Sequence, residues 1–275
     1  MNLGWHWDTL RQDVWFTLRA LRRDAAFFAG AIAIVALGIG ANSAIFSVVH
    51  GILVRPLPFA QAERLVWVAN TGGDGGLSSV TTRVANYLDW QRLNQSFEEM
   101  AAYFAFFDYG TYTLSGNGEP ERLVGVGVSQ NFLPFLGVRT ALGRNFVEKE
   151  AQDNGERAVI LTHGLWQRRF GGDPSVIGRS ITLNDLSVAV VGVLPAWFDF
   201  RAVFTPGSRI DMLVPFPITQ ATDRMGNTLA VLGRLKPGIG VQQAQSEFDV
   251  LNEQIRTGNP GRFRFGARLT RCRTI

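Results

Sequence analysis

Residues 25–54 form an uncharged run, and no other feature of the sequence constrains the fold as strongly. Between Asp24 and Arg55 there are thirty residues without a single Asp, Glu, Lys or Arg. About 20 apolar residues cross the hydrocarbon core of a bilayer, so residues 25–49 are long enough to span it with some tilt. The run therefore predicts one transmembrane helix within residues 25–54.

A long apolar run can also be a helix buried inside a soluble protein or part of a cleaved signal peptide. A soluble helix of this length seldom lacks charge on every face. The apolar region of a signal peptide has only about 7–15 residues, and here a polar segment of 24 residues with three Asp precedes the run. A retained signal anchor fits the sequence better than either alternative.

The arginines around the run indicate its orientation. Four of them lie before it: Arg11, Arg19, Arg22 and Arg23. The nearest basic residues after it are Arg55 and Arg64. Because cytoplasmic flanks carry the excess of basic residues, we expect the N-terminus in the cytoplasm and the chain beyond about residue 55 outside it.

Apolar side chains in residues 1–24 follow helical spacing. Leu10, Val14, Leu18 and Leu21 share one face, and Trp5, Trp7 and Trp15 lie nearby. The pattern is typical of an amphipathic helix on the cytoplasmic membrane surface. A short helical leader without a partner fits it equally well.

Small residues recur every four positions inside the uncharged run, at Ala36, Gly40 and Ala44, with Asn42 beside them. Small side chains at this spacing let two helix backbones approach closely, and an asparagine can hydrogen-bond between helices. An anchor that faces only lipid needs neither feature. The stripe therefore predicts a span that packs against other spans, which this chain does not itself contain.

Composition excludes several classes of protein. The net charge is +4, but six arginines lie in residues 256–275, so the basic charge sits in a terminal tail and nucleic-acid binding is not expected. The single cysteine, Cys272, excludes a disulfide framework and a cysteine-rich zinc site. Neither lysine, Lys149 or Lys236, follows a glycine, so no Walker A loop is present to bind ATP.

Beyond residue 55 the patterns predict interleaved strands and helices, which is an α+β or α/β arrangement. We expect strands at residues 65–69, 123–128, 157–161, 181–183, 187–193 and 229–235. We expect one or two helical stretches between Val84 and Ala101, a helix capped by Thr162 that runs to Phe170, and a helix from Val241 to Ile255. Residues 71–79 are predicted to be a Gly-rich surface loop, because no lysine follows to bind phosphate.

No catalytic, cofactor or metal site is expected. His6 and His50 flank the span on opposite sides, and the favoured interpretation of His163 is a surface or capping histidine. No HExxH or G-x-S-x-G motif occurs. The acidic pairs Glu98-Glu99 and Glu119/Glu121 are typical of solvated faces.

A possible dinucleotide-binding motif is incomplete. Gly125 and Gly127 give G-x-G after a predicted strand, but Gln130 stands in place of the third glycine. The residues themselves therefore indicate a membrane-anchored domain outside the cytoplasm, without visible catalytic residues.

Five groups of motifs occur in order along most of the chain. They are ALGIGANSAIFSVV (36–49) with LVRPLPF (53–59); NYLDW (86–90) with SFE (96–98); LGVR (136–139) with LGRNF (142–146); LWQRRFGGDP (165–174) with IGR (177–179) and VVGVLP (190–195); and GRLKPG (233–238). Each alone is unremarkable, but their order and spacing resemble the MacB/FtsX-like ABC permeases, most of all the orphan branch with MacB-type periplasmic core domains.

The resemblance implies a non-catalytic permease subunit. In such permeases a cytoplasmic ATPase drives the spans, and the motion reaches a periplasmic domain with an α/β porter-like part and a second, β-rich part. The family works as dimers, and the missing Gly-Lys pair implies that the ATPase is a separate subunit here. Other partners it implies are further permease spans, a periplasmic adaptor and membrane lipid; it implies no cofactor.

Family members have at least three further spans after the periplasmic domain, and residues 56–275 contain no second apolar run of that length. We therefore expect a permease subunit, or a truncated front part of one, in the bacterial inner membrane. Its expected parts are an interfacial helix (1–24), a transmembrane helix (25–54) and a mixed α/β periplasmic core domain with a β-rich subdomain (55–275). The alternative is a single-span, signal-anchored binding or enzymatic domain.

Overall fold

The computed structural model of the chain describes residues 15, 25–53, 57–70, 81–105, 110–116, 118–258 and 266–272. The chain forms two compact units, Met1–Arg55 and Pro56–Ile275. Two predictions lie outside the described residues: the interfacial helix of residues 1–24, of which Trp15 alone is described, and the Gly-rich loop of residues 71–79.

The first unit contains one long helix, α1 (Ala25–Leu53), of 29 residues. At about 1.5 Å per residue it is roughly 43 Å long, which exceeds the hydrocarbon core of a bilayer. By length and composition the helix can cross a membrane, and its described apolar side chains, such as Phe27 and Leu37, are exposed. Apolar side chains that remain exposed along a helix of this length fit a lipid environment.

The second unit combines strands and helices, as predicted. Its described strands are β1 (Leu65–Asn70), β2 (Phe97–Phe104), β3 (Gly110–Ser115), β4 (Glu121–Val128), β5 (Leu142–Gly143), β6 (Ala158–Leu161), β7 (Ser180–Leu183), β8 (Leu186–Val193), β9 (Met212–Pro215), β10 (Leu229–Leu235) and β11 (Ala267–Arg271). Its described helices are α2 (Val84–Leu93), α3 (Phe132–Leu136), α4 (His163–Phe170), α5 (Phe200–Phe204), α6 (Gln220–Asp223) and α7 (Val241–Gly258).

Four strands form an open antiparallel sheet in the order β11-β1-β10-β2. Helix α2 connects β1 to β2, and α7 connects β10 to β11, so the chain traces two βαβ units that interlock in one sheet. Both helices cover the same face through a core that includes Trp90 and Phe248. This is the α/β part of the domain.

Six of the seven remaining strands form a barrel that is inserted between β2 and β10, and the short strand β5 pairs with β8. Its order is β4-β3-β7-β8-β6-β9, and a parallel pairing of β9 with β4 closes the ring. All six strands contribute to its interior, and Leu165 of α4 packs against it. Closure removes the free edges that an open sheet would expose. The barrel is the predicted β-rich part. Strand β2 of the open sheet pairs with β4 of the barrel, with Tyr103 opposite Val128.

The first predicted helical region ends earlier than its apolar pattern indicates. Helix α2 stops at Leu93, and the following residues Phe97, Met100 and Ala101 lie in strand β2 instead. Side chains such as Glu, Met and Ala favour helices in isolation, but pairing with β10 along seven positions overrides that preference. The prediction of a helical stretch after Asn94 was therefore wrong.

The β7–β8 hairpin forms without the expected glycine. Asn184 and Asp185 both adopt positive φ, 47° and 63°, as the common two-residue hairpin turn requires. The Asn184 side-chain oxygen accepts a hydrogen bond from the Thr113 backbone N–H at 2.7 Å. Asparagine and aspartate tolerate this conformation better than other non-glycine residues, so the pair can replace Asn-Gly.

Strand β11 lies at the open edge of the four-stranded sheet, and a helix side chain covers part of that edge. The Gln245 amide of α7 donates to the Ala267 carbonyl at 2.7 Å and accepts from the Leu269 N–H at 2.8 Å. One carboxamide thus occupies the positions that a neighbouring strand would use. Arg268 and Arg271 are exposed on the same strand, and charge also discourages edge-to-edge pairing.

We expect Gly233→Ala to destabilise the domain by about 1–3 kcal/mol, because a Cβ atom at this buried position of β10 would overlap the Phe97 ring. Gly164→Ala in α4 is the matched control, since no atom lies within 4 Å of the added Cβ and alanine favours the helix. Thermal unfolding of the full chain in detergent would measure both. Equal melting temperatures for the two variants would contradict the packing argument.

Candidate functional site

The segment that follows α1, residues 57–64, packs into the second unit. Leu57 and Phe59 are buried. The Phe59 ring stacks on Phe204 with centroids 5.8 Å apart and lies 6.1 Å from Phe198. The first described residues of the second unit are therefore held in its core.

Arg234 of β10 holds residues 57–64 to the domain through hydrogen bonds. Its guanidinium donates to the backbone carbonyls of Ala60 and Gln61 and to the carbonyl of Phe135 at the end of α3. The guanidinium carbon also lies 5.2 Å from the centroid of the Phe135 ring. One side chain thus joins three parts of the fold, the incoming segment, the open sheet and α3.

The local sequence allows the end of α3 to lie close to Ala60. Gly137 follows the last residue of α3 with a φ of 74° that suits glycine, and a Cβ there would lie 2.7 Å from the Ala60 Cβ. The Ala60 N–H donates to the Leu136 carbonyl at 3.2 Å. The last carbonyls of a helix lack partners within it, so those of Phe135 and Leu136 are free to bind Arg234 and Ala60.

Arg64 adds a second link between the segment and the sheet. Its Nε donates to the Leu235 carbonyl at 2.6 Å, and its guanidinium pairs with Glu98. The register between β10 and β2 shifts at Arg234/Leu235, so that Arg234 pairs with Glu99 and Leu235 with Phe97. The shift leaves Glu98 without a partner on β10, and such bulges redirect side chains. Here the redirected carboxylate meets Arg64.

The Arg234 guanidinium is a buried cation held by backbone dipoles. The residue is 6% exposed, and no carboxylate of the described residues lies within ion-pair distance of it. Burial, followed by the positive charge of Arg64, lowers the pKa of Arg234 from its ordinary value. Hydrogen bonds from an ionised donor are stronger than neutral ones. The carbonyls therefore compensate for much of the lost hydration.

Sequence patterns did not assign Arg234 a role, although it lies in the motif GRLKPG. The signal that could have found it was its position as the one charged residue in the apolar strand LAVLGRL. A charged residue in a buried strand needs several hydrogen-bond partners. Which carbonyls would supply them depends on residues far away in sequence.

A second polar cluster lies where α4 meets the barrel. Glu121 accepts from Arg168 at 2.8 Å and Arg209 at 3.0 Å, and both arginines also pair with Asp211. The Asp211 carboxylate further accepts from the Val124 N–H at 3.1 Å. Glu121 lies on a partly exposed face, as expected of it, and there its carboxylate is held by arginines from two other segments.

A cleft of about 440 Å³ opens beside this cluster and includes His163 and Arg201 in its lining. His163 is half-buried, and its ring contacts Trp166 edge-on with centroids 5.4 Å apart. In the described part of the chain, no three His, Cys, Asp or Glu side chains are grouped so as to hold a metal ion. The charged groups that line the cleft pair mainly with one another.

The remaining candidate residues have structural positions. Gly125 lies beneath the Tyr112 ring of the barrel, and a Cβ at Gly127 would approach Phe216 to 3.1 Å, so both glycines make room for neighbouring aromatic rings. Glu98, Glu99 and Glu119 are exposed, as expected of them. The thiol of Cys272 packs against the domain core, and burial raises its pKa.

The Glu121 cluster makes stability depend on pH. Hydrogen bonding from Arg168 lowers the pKa of Glu121 below its ordinary value. The Glu121 carboxylate therefore stabilises the folded protein at pH values above the ordinary pKa, and this contribution is lost as the pH falls through the lowered pKa. We expect Glu121→Gln to lower the melting temperature at neutral pH, with a difference from wild type that shrinks as the pH falls below the ordinary pKa of a glutamate and the carboxylate becomes protonated. Glu156→Gln, which breaks an exposed pair with Lys149, is the control and should change little. A difference for Glu121→Gln that persists at low pH would contradict this account.

Solved structures share this fold. A domain of a protein assigned as a permease from Porphyromonas gingivalis superposes with a TM-score of 0.59 at 18% identity, covering 79% of this chain and 94% of that one. The periplasmic region of MacB from Actinobacillus actinomycetemcomitans gives 0.52 at 14% identity, covering 75% and 88%. The extracellular domain of the noncanonic ABC-type transporter YknZ from Gram-positive bacteria gives 0.50 at 15% identity, covering 75% and 99%.

The sequence comparison carries the family assignment. No curated protein matches the chain significantly. The family described as the MacB-like periplasmic core domain matches residues 28–251, which includes most of α1, the open sheet through β10 and the whole barrel. This family occurs in permease components of ABC transporters. The resemblance seen in the motifs is therefore confirmed, and the chain belongs to the MacB-like periplasmic core domain family of ABC-type permeases.

Proposed function

We propose that this chain is a non-catalytic permease subunit of a MacB-like ABC system that exports a substrate or transmits movement across the membrane. The observation that carries the proposal is the family match over residues 28–251, which joins the apolar helix and the domain in one unit of sequence. Such a subunit needs the domain to follow the motion of its span. Arg234 binds the carbonyls of Ala60 and Phe135, and Arg64 binds the carbonyl of Leu235. These hydrogen bonds hold residues 57–64 to the domain, so that movement of this segment would move the domain.

The proposed parts keep the boundaries that the sequence indicated. Residues 1–24 form a cytoplasmic interfacial helix, residues 25–54 the transmembrane helix and residues 55–275 the periplasmic core domain of an inner-membrane protein. The N-terminus lies in the cytoplasm, because the flanking arginines favour that side.

The proposed partners follow from the family and from the span. A separate cytoplasmic ATPase supplies ATP hydrolysis, since no Gly-Lys pair occurs in the sequence. The span pairs with a second copy or with other permease spans through Ala36, Gly40 and Ala44. A periplasmic adaptor is a further partner of the domain.

Arg234 couples the segment after the span to the domain in this proposal. A pull on residue 57 reaches Ala60 and Gln61 first, and the guanidinium passes it to β10 and to the end of α3. Because β10 lies inside the four-stranded sheet and pairs with both β1 and β2, the load then spreads over the neighbouring strands.

The proposal as a whole is tested by membrane assembly. We expect the full chain to resist a high-pH wash of isolated membranes, to hydrolyse no ATP when purified, and to self-associate in membranes by fluorescence energy transfer. Gly40→Leu should reduce the transfer severalfold, because the larger side chain separates the helix backbones. Gly30→Leu, outside the small-residue stripe, is the matched control and should keep it.

Two results would contradict the proposal. Release of the chain by the wash would exclude a membrane span. Equal energy transfer for Gly40→Leu and wild type would exclude the predicted packing face. An impermeant thiol reagent added to spheroplasts supplies the orientation, since Ser187→Cys should react and Gln12→Cys should not.

We expect Arg234→Met to loosen the segment after the span more than the rest of the domain. The variant leaves three carbonyl groups without their donor, and a buried hydrogen bond from a charged group typically contributes about 1.5–3 kcal/mol. Hydrogen–deuterium exchange should rise in peptides covering residues 57–64, while peptides covering β7 and β8 keep their protection.

Two control variants accompany this measurement. Arg256→Met breaks an exposed pair with Glu253 and should leave exchange unchanged. Arg234→Lys keeps the charge but cannot reach the three carbonyls at once, so it should restore only part of the protection. A uniform rise of exchange over the whole domain in Arg234→Met would show a role in global stability alone.

A further inference from the structure

The barrel opens into a cleft at one of its ends. Strands β6 and β8 begin at this end, and β7 and β9 end there, because β8 runs parallel to β6 whereas β7 and β9 run antiparallel to their neighbours. Pairing between β6 and β9 stops at Ile160 and Leu213, before β9 ends at Pro215. Proline has no N–H to donate to a neighbouring strand, so Pro215 and Pro217 cannot extend this ladder.

The cleft has a volume of about 420 Å³, and much of its lining is apolar. The apolar side chains come from β7, β8, β9 and the segment after β9: Leu183, Leu186, Val188, Val214, Pro215 and Pro217. Leu186 remains 45% exposed there. Mouths of β-barrels are common places for small-ligand sites, and such sites combine an apolar lining with a few polar groups. The size and the lining of this cleft therefore fit a small ligand.

Tyr112 of β3 adds an aromatic ring to the lining. The ring lies across Gly110 and Gly125, which pair with each other, and a Cβ atom at these glycines would lie 2.7 and 2.8 Å from it. The absence of side chains at both positions therefore gives the ring its place. In the described part of the chain the Tyr112 hydroxyl makes no hydrogen bond, and burial raises its pKa, so it stays protonated and can donate.

The charged residues in the lining leave one cation uncompensated. Of the two carboxylates, Glu150 pairs with Arg144 at 2.6 Å and Glu156 pairs with Lys149 at 2.7 Å. Arg157 also lines the cleft, and its exposed guanidinium forms no ion pair or hydrogen bond with any residue that the structure describes. Because both carboxylates already have cationic partners, a ligand in the cleft would meet the positive charge of Arg157.

We propose that this cleft binds a small amphipathic anion, with its apolar body against the leucines, valines and prolines of the lining and its acidic group on Arg157. A carboxylate suits a guanidinium, which presents several N–H donors in one plane, and the Tyr112 hydroxyl can donate a further hydrogen bond. An uncharged apolar molecule would leave the guanidinium without a partner, and a cation would be repelled. Such a site needs neither the membrane span nor the ATPase of the proposed function, so it goes beyond that proposal.

A matched pair of ligands tests the requirement for a negative charge. Naphthoate and naphthamide share one apolar ring system, but only naphthoate is an anion. Each is titrated by calorimetry into the full chain in phosphatidylcholine nanodiscs, and the heat measured with empty nanodiscs is subtracted. We expect saturable binding of naphthoate and about tenfold weaker binding of naphthamide, because the amide cannot form the charged hydrogen bonds to Arg157.

Variants locate the binding in the cleft. Arg157→Gln removes the charge, and Arg179→Gln is its matched control. Both arginines are exposed, and their carbonyls accept from the N–H groups of Ala189 and Val190 in β8, but Arg179 is outside the lining. We expect Arg157→Gln to weaken naphthoate binding about tenfold and to leave naphthamide binding unchanged, whereas Arg179→Gln changes neither. Leu186→Ser should weaken binding of both ligands, because it removes part of the apolar lining.

Three results would overturn the anion site. They are equal affinities of the wild type for naphthoate and naphthamide, naphthoate binding that Arg157→Gln leaves unchanged, and no saturable naphthoate binding above that of empty nanodiscs. Melting temperatures of the variants should equal that of the wild type, because all three side chains are exposed, and they separate loss of binding from unfolding. None of these results bears on the proposed function, whose tests concern the membrane span and its packing.

Discussion

The buried guanidinium of Arg234 is the interaction on which the rest of the domain depends. A cation without a carboxylate partner tolerates burial only where several dipoles face it. Here those dipoles come from the end of α3 and from residues 60–61, so the charge forces both to meet at β10. Gly137 and Gly233 then follow as space requirements, because one lets Ala60 approach and the other admits the Phe97 ring.

The position of β10 also shows why the barrel can be an insertion without disturbing the open sheet. The chain leaves the sheet after β2 and returns at β10, and the two strands are neighbours, so the sheet is complete when the barrel is set aside. The barrel closes on itself through β4 and β9 and keeps its own core. Another core, which includes Phe132 and Phe200, packs residues from both parts together and joins them into one unit.

Local patterns predicted much of the fold correctly. Thr162 caps α4 by accepting from the Leu165 N–H, and the apolar spacing of residues 241–255 gives α7. The prediction failed where a distant partner decided the structure, because residues 97–101 became a strand by pairing with β10. Strand β10 begins at Leu229, 128 residues after Ala101.

By itself the sequence determined what depends on composition and near neighbours. An uncharged run of thirty residues specifies an apolar helix, and with one cysteine and two lysines, neither of them after a glycine, the sequence lacks the residues for a disulfide framework or a Walker A loop. The ordered motifs identified the family, which the comparison confirmed. Only the tertiary structure decided that β4 and β9 close a barrel and that Arg234 binds carbonyls 99 and 174 residues away. These features are contacts between remote segments, and local patterns contain no information about which remote groups meet.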